Sequence, residues 1–169
     1  MKIRIKPEKL VWLALSLLAF GAAAQIVIDP DWKESEAPAP PAFSSDRLIA
    51  VEMPKYVSLR FGVDPATLSI TPDGIVRYVM VATNAAGNIS AMYEGIRCAT
   101  AEVKTYARYS SRGQWVAVKD AQWQGLHDRL PSMHALALAR QGACQGSTAA
   151  NSAAAIVNAL KNPNQGQSR

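Results

Sequence analysis

TPDGIVRYVMVATNAAGNISAMYEGIRC, residues 71 to 98, is the stretch whose reading decides the fold. Two runs within it, Ile75 to Ala82 and Ile89 to Arg97, are rich in the β-branched and aromatic side chains that suit strands, and turn residues bound both. Thr71, Pro72, Asp73 and Gly74 suit a tight hairpin, because proline presets the backbone at the second turn position and glycine accepts the left-handed conformation that closes it. That turn joins Thr67–Thr71 to Ile75–Ala82. Asn84 to Gly87 reads as a four-residue hairpin loop that sets Thr83 opposite Asn88. Arg77 then faces Glu94 and Tyr78 faces Tyr93, two pairings that each contribute roughly 0.2 to 1 kcal/mol across antiparallel strands. The expectation is a structural ion pair between Arg77 and Glu94.

Outward from this hairpin, strand signals begin at Leu48. A further strand, Ala101 to Tyr109, alternates Val103, Thr105, Ala107 and Tyr109 with Glu102, Lys104, Tyr106 and Arg108, so one of its faces is wet and it lies near an edge. Ser110 to Gly113 turns the chain into Gln114–Val118. Beyond Trp123 the period changes: Leu130, Met133, Leu136, Ala137 and Arg140 recur at helical spacing, with Pro131 in a first turn and Gly142 as a stop. A second apolar run, Ala153 to Leu160, ends at Asn162 and Pro163. The fold class is therefore α+β, an antiparallel β-sheet meander of five or six strands packed with one or two C-terminal helices.

The N-terminus reads as an export signal. Lys2, Arg4, Lys6 and Lys9 precede an uncharged run from Leu10 to Ala24, shorter than the roughly 20 residues of a spanning helix and closed by Ala22, Ala23 and Ala24. Cleavage after Ala24 gives a periplasmic or cell-envelope protein of a Gram-negative type, with no stable membrane span left. The 18 Lys and Arg and 13 Asp and Glu give the whole chain a net charge of +5; removing four cations and one anion with residues 1–24 leaves 14 against 12, a net +2. The basic balance thus belongs largely to the leader and argues for no nucleic-acid partner. Residues 25–45 are acidic and proline-rich and read as an extended tether, residues 46–161 as one α+β domain, and residues 162–169 as a disordered tail. In an oxidising compartment Cys98 and Cys144, the two cysteines, are expected to pair.

No motif assembles a reaction centre. The chain lacks the G-x-S-x-G elbow, the phosphate loop, the H-E-x-x-H pair and the dinucleotide glycine fingerprint. His127 and His134 stand seven apart without an obvious third ligand, so no metal and no cofactor is expected. Asp73 and Glu94 make a poor carboxylate pair for glycoside chemistry, since one sits at a hairpin tip and the other faces Arg77. Trp115, Tyr109 and Tyr106 are candidate ligand-binding residues, because aromatic side chains beside an exposed turn can line a shallow groove. Tyr78, Tyr93 and Trp123 read as packing. No residue is assigned a catalytic role. The leading reading is a non-catalytic module binding an envelope ligand or protein; the competing one is a small envelope hydrolase with Glu94 or His127 as its acid or base.

The run Asp73, Gly74, Ile75, Val76, Arg77, Tyr78, then Tyr93, Glu94, Gly95, Ile96, Arg97, Cys98, with Trp115, Trp123, His127 and Cys144 downstream, resembles the cryptic neisserial protein one family of proteobacteria. The likeness covers about residues 46 to 161. It implies an exported envelope or periplasmic protein and carries over no catalytic residue. Some members look like lipoproteins; in this chain no cysteine directly follows the apolar stretch, and the first is Cys98.

Overall fold

The computed structural model describes residues 29–163; the leader and the last six residues, on which the signal-peptide and tail expectations fall, lie outside the described residues. Ten strands and two short helices follow one another. They are β1 (Ile49–Val51), β2 (Arg60–Val63), β3 (Ser69–Ile70), β4 (Ile75–Thr83), β5 (Ile89–Arg97), β6 (Glu102–Tyr109), β7 (Trp115–Ala117), β8 (Gln124–Gly125), α1 (His134–Leu138), β9 (Cys144–Gln145), β10 (Thr148–Ala149) and α2 (Ala153–Lys161). The main sheet is antiparallel throughout, ordered β1-β2-β4-β5-β6-β7, with β3 also on β4 and β8 also on β6. The α+β class read from the sequence is thus the architecture observed.

β4 is its axis. Ile75 to Ala82 are all buried because this strand is covered on both faces, and each fully buried Val or Ile contributes about 1.5–3 kcal/mol. Tyr78, Met80, Met92, Ile96 and Val103 face the C-terminal helices, whereas Val79, Val81, Ala91, Tyr93 and Ala107 face the opposite way. We call these the helix face and the strap face.

The Thr71–Gly74 hairpin forms as read. Gly74 donates to the Thr71 carbonyl and has φ of 81°, which a side chain would strain. The next hairpin departs by one residue. Asn84 donates to the Asn88 carbonyl, Gly87 donates to the Asn84 carbonyl with φ of 82°, and the Asn84 side chain accepts from the Asn88 N–H. The loop is therefore three residues, Ala85 to Gly87, with the glycine in the left-handed position that such loops require. Thr83 faces Ile89 in consequence, Tyr78 faces Glu94, and Arg77 faces Gly95. Side chains alternate between faces, so the one-residue slip places Arg77 and Glu94 on opposite faces. The expected Arg77–Glu94 and Tyr78–Tyr93 pairings are corrected on that ground.

The alternation read in Ala101–Tyr109 also fails at one point. Tyr93 faces Ala107 but Glu94 faces Thr105, so Tyr106 is an extra residue forming a β-bulge. Before it, Val103 and Thr105 point to the helix face; after it, the parity flips. Ala107 packs on the strap face and Arg108, opposite Met92, turns to the helix face.

The helical expectation is met in part. Leu130 precedes Pro131, which disfavours the helical conformation there, and α1 begins only at His134. It runs into a wider turn, Ala139–Ala143, that contains Gly142 with φ of 129°. α2 is capped by the Ser152 hydroxyl accepting from the Ala155 N–H and buries Ile156 and Leu160 against the sheet. The Cys98–Cys144 disulfide, with Cα atoms 5.6 Å apart, joins the end of β5 to the end of the helical turn.

Residues 29–47 do not behave as a tether. They lie along the strap face, where Phe43 and Leu48 pack against the apolar cluster. Further along, Asp64 is fully buried at the break between β2 and β3; its carboxylate accepts two bonds from Arg47 at 2.7 and 2.9 Å and others from Ser44 and Ala66. Thr67 closes the break by donating to the Asp64 carbonyl and accepting from the Val79 N–H.

Replacing Cys98 and Cys144 together by serine is expected to cost about 4 kcal/mol, the loop-closure entropy returned to the unfolded chain. That corresponds to a drop in Tm of roughly 10 °C in a thermal melt. His127→Ala, at an exposed loop position, is expected to stay within about 0.5 kcal/mol of the parent.

Candidate functional site

Between the helix face of the sheet and the segment Leu130–Ala135 lies a cleft of about 450 Å³, in the range of small-molecule sites. The strands supply Phe61, Ala82, Met92 and Val103 to its walls, and the pre-helical segment supplies Leu130, Pro131 and Ala135. The delayed start of α1 matters here, because a non-helical Leu130–Ser132 forms one wall where a longer helix would have stood.

Polar groups are concentrated at the floor and the rim. At the floor Glu94, 3% exposed, projects from β5. Its Oε2 accepts from His134 Nε2 at 2.8 Å and from the Tyr78 hydroxyl at 3.0 Å, and its Oε1 accepts from the Thr105 hydroxyl at 3.0 Å. A carboxylate accepts and does not donate, so the proton between Glu94 and His134 belongs to Nε2. The imidazole is stacked on Phe61, with centroids 5.2 Å apart and planes 14° apart. Its Nδ1 is buried with no hydrogen-bond partner.

The electrostatics follow from these contacts. Burial by itself pushes the Glu94 carboxyl up; the charge and hydrogen bond of His134, with the Thr105 and Tyr78 hydroxyls, outweigh it and hold the group below its ordinary 4.5. Burial, then the charge of Glu94 and the bond to it, push the Tyr78 phenol well above its ordinary range, so Tyr78 remains a donor. Glu94 is thus an ionised acceptor with both oxygens occupied, and of the two ring nitrogens of His134 one is engaged and the other sealed. The floor of the cleft is polar, with its donors and acceptors largely paired within the protein.

Arg108 stands at the rim, exposed, placed there by the bulge in β6. Ser90, Gln124 and Ser132 complete the polar lining.

The residues singled out from the sequence are distributed otherwise. Arg77 lies on the strap face, where it donates to the carbonyls of Ser35 at 2.7 Å and Glu36 at 3.4 Å and stacks over Tyr106. Tyr106 donates to Glu34, whose carboxylate also accepts from Lys104 at 2.8 Å and from the Trp123 indole at 3.1 Å. Tyr109 and Trp115 pack edge-on to each other and to Phe43. The chain's own strap packs against the three candidate aromatics and leaves two depressions beside them, one of about 590 Å³ lined by Pro40, Phe43, Ile89, Tyr109 and Trp115 and one of about 480 Å³ lined by Pro38, Pro40, Tyr106 and Trp115. Trp32 seats over the Arg97 guanidinium at 3.6 Å and bonds the Asp73 carbonyl.

His127 is exposed in the loop after β8 and is not part of the cleft, so it neither converges with Glu94 nor shares a helical face with the buried His134. Among the described residues no three histidine, cysteine or acidic side chains are grouped to hold a metal ion, and no helix is long and apolar enough to cross a membrane. The sequence reading missed His134, Thr105 and Arg108. The signal that locates the first two was the Asn-Ala-Ala-Gly-Asn loop: a glycine at its fourth position and asparagines at both ends select the three-residue turn, hence the Tyr78–Glu94 register.

The CNP1-like family matches the chain over residues 27–161, a span that takes in the strap as well as the domain. No curated protein and no solved structure matches.

The depressed Glu94 carboxyl fixes the sign of a pH effect. A carboxyl that releases its proton more readily in the fold than in the unfolded chain stabilises the fold above its unfolded value, and that contribution disappears as pH falls through the folded value. Tm is expected to fall as pH is lowered from about 6 to about 3, and Glu94→Gln is expected to be less stable than the parent near neutrality and to show a shallower acid loss. Parallel Tm–pH curves for the two proteins would contradict the assignment.

Proposed function

We propose, for a chain that belongs to the CNP1-like family, that it is an exported envelope module that binds a ligand without transforming it, in the cleft between the sheet and residues 130–135. The export reading rests on the basic, apolar and small-residue order of residues 1–24 together with the disulfide, which persists in oxidising compartments. The binding reading rests on one observation: a mostly apolar cleft whose single carboxylate already accepts three bonds, from His134, Tyr78 and Thr105.

The hydrolase reading draws on the same buried Glu94–His134 pair. General acid or base work needs a group within reach of the substrate and with a proton position open. Both line the cleft, but Glu94 already accepts three bonds and His134 Nδ1 is buried, so the pair is better accounted for as the fastening of α1 to β5.

The neutral apolar dye N-phenyl-1-naphthylamine is the test. Titrated into the leaderless protein, it is expected to saturate at one dye per chain. Ser90→Trp, which places a large side chain at the exposed mouth, is expected to weaken dye binding at least about tenfold while Tm holds. Binding unaffected by that variant would place the site elsewhere. Turnover of a chromogenic ester or glycoside that disappears in Glu94→Gln with the fold intact would replace binding by catalysis.

A further inference from the structure

We propose that the ligand of this cleft is a single-chain anionic amphiphile, an aliphatic chain ending in one carboxylate or comparable anionic group, with Arg108 recognising the anion. The inference rests on the binding reading given above and narrows it.

Three observations converge on that chemistry. The walls are hydrocarbon: Phe61, Met92, Val103 and Leu130 line the interior, and Leu59, 40% exposed, continues the apolar surface to the mouth. A chain of methylene groups is the complement of such a surface, each buried methylene being favourable by about 0.8 kcal/mol. The volume, about 450 Å³, admits one such chain and not the face of a bilayer.

The second observation is the sign of the charge on offer. Glu94 is the sole acid and Arg108 the sole Lys or Arg in the lining among the described residues. Glu94, 3% exposed at the floor, is already held by three protein donors, whereas Arg108 stands at the rim. Arg108 is exposed and makes no hydrogen bond or ion pair among the described residues. A guanidinium left unpaired beside hydrocarbon walls complements a carboxylate, which it can hold through two parallel N–H bonds.

The third is how Arg108 comes to be there. Regular alternation in β6 would have sent it to the strap face with Lys104. The extra residue, Tyr106, reverses the parity, and the same reversal buries Ala107 behind Tyr93. Bulges that re-aim a side chain recur beside functional sites. Here the bulge gives the cleft its one cation, and its own residue, Tyr106, is used on the other face to hold Glu34.

Three probes with the same ten-carbon chain separate this inference from the one it rests on: decanoate, decanol and decyltrimethylammonium, each titrated into the leaderless protein by calorimetry well below its micelle concentration. Decanoate is expected to bind at least about tenfold more tightly than decanol, the worth of one charge-assisted bond, and decyltrimethylammonium to bind most weakly. Arg108→Gln is expected to weaken decanoate about tenfold and remove its advantage over decanol, and Arg108→Lys to restore part of it. Added salt should lower decanoate affinity in the parent and not in Arg108→Gln. Equal affinity for decanoate and decanol, or a decanoate preference that survives Arg108→Gln, would overturn the anionic assignment and leave the cleft reading standing. If none of the three binds, the cleft reading falls with it.

Discussion

The carboxylate of Glu94, out of water and bonded to His134, Tyr78 and Thr105, is the interaction on which the rest of this structure depends. An isolated ionised carboxyl in such a place would be prohibitively costly, so its position demands three donors at once. They come from three separate elements: Tyr78 from β4, Thr105 from β6 and His134 from the first turn of α1. Each strand must therefore keep its register and α1 must begin where it does. The cleft is the space left when those conditions are met, because the helix starts late enough for Leu130–Ser132 to stand off the sheet.

The opposite face is organised by the same rule with the charges reversed. Arg77, 2% exposed, sits on the strap face of β4 and needs acceptors, which the backbone of Ser35 and Glu36 supplies. Glu34 in turn is gripped by Lys104, Tyr106 and Trp123. A proline-rich segment that cannot form a ladder of its own thus becomes a third layer, held by side chains rather than by strand pairing. The match to the CNP1-like family begins at residue 27, ahead of these contacts, as expected if the strap belongs to the fold.

Much of the architecture was legible in the residues. The Thr71–Gly74 turn, the long central hairpin, the strand after Ala101, the terminal helix and the Cys98–Cys144 link all rest on local signals, namely turn chemistry, periodicity and a cysteine pair. The site was less legible because it depends on parity. One residue in the Asn84–Asn88 loop and one bulge at Tyr106 each exchange the two faces of a strand. Reading the loop as four residues put Glu94 beside Arg77, and missing the bulge sent Arg108 the wrong way. Charge complementarity gave no warning, since Arg77 and Glu94 are plausible partners in either register. His134 was weighed beside His127 by sequence spacing, whereas its partner stands forty residues away. Tyr106, Tyr109 and Trp115 were singled out as candidate ligand-binding residues, and the strap that packs beside them had been read as a tether.

A double-mutant cycle on Glu94 and His134 tests the central claim most directly. Urea unfolding of the parent, Glu94→Gln, His134→Gln and the double variant at about pH 7 gives the coupling between the two side chains. A buried, hydrogen-bonded pair that fastens α1 to the sheet predicts a coupling of about 2 kcal/mol or more, with the double variant far less destabilised than the sum of the singles. Additivity within about 0.5 kcal/mol would show that the two side chains do not hold each other, and would contradict the account of both the fold and the cleft.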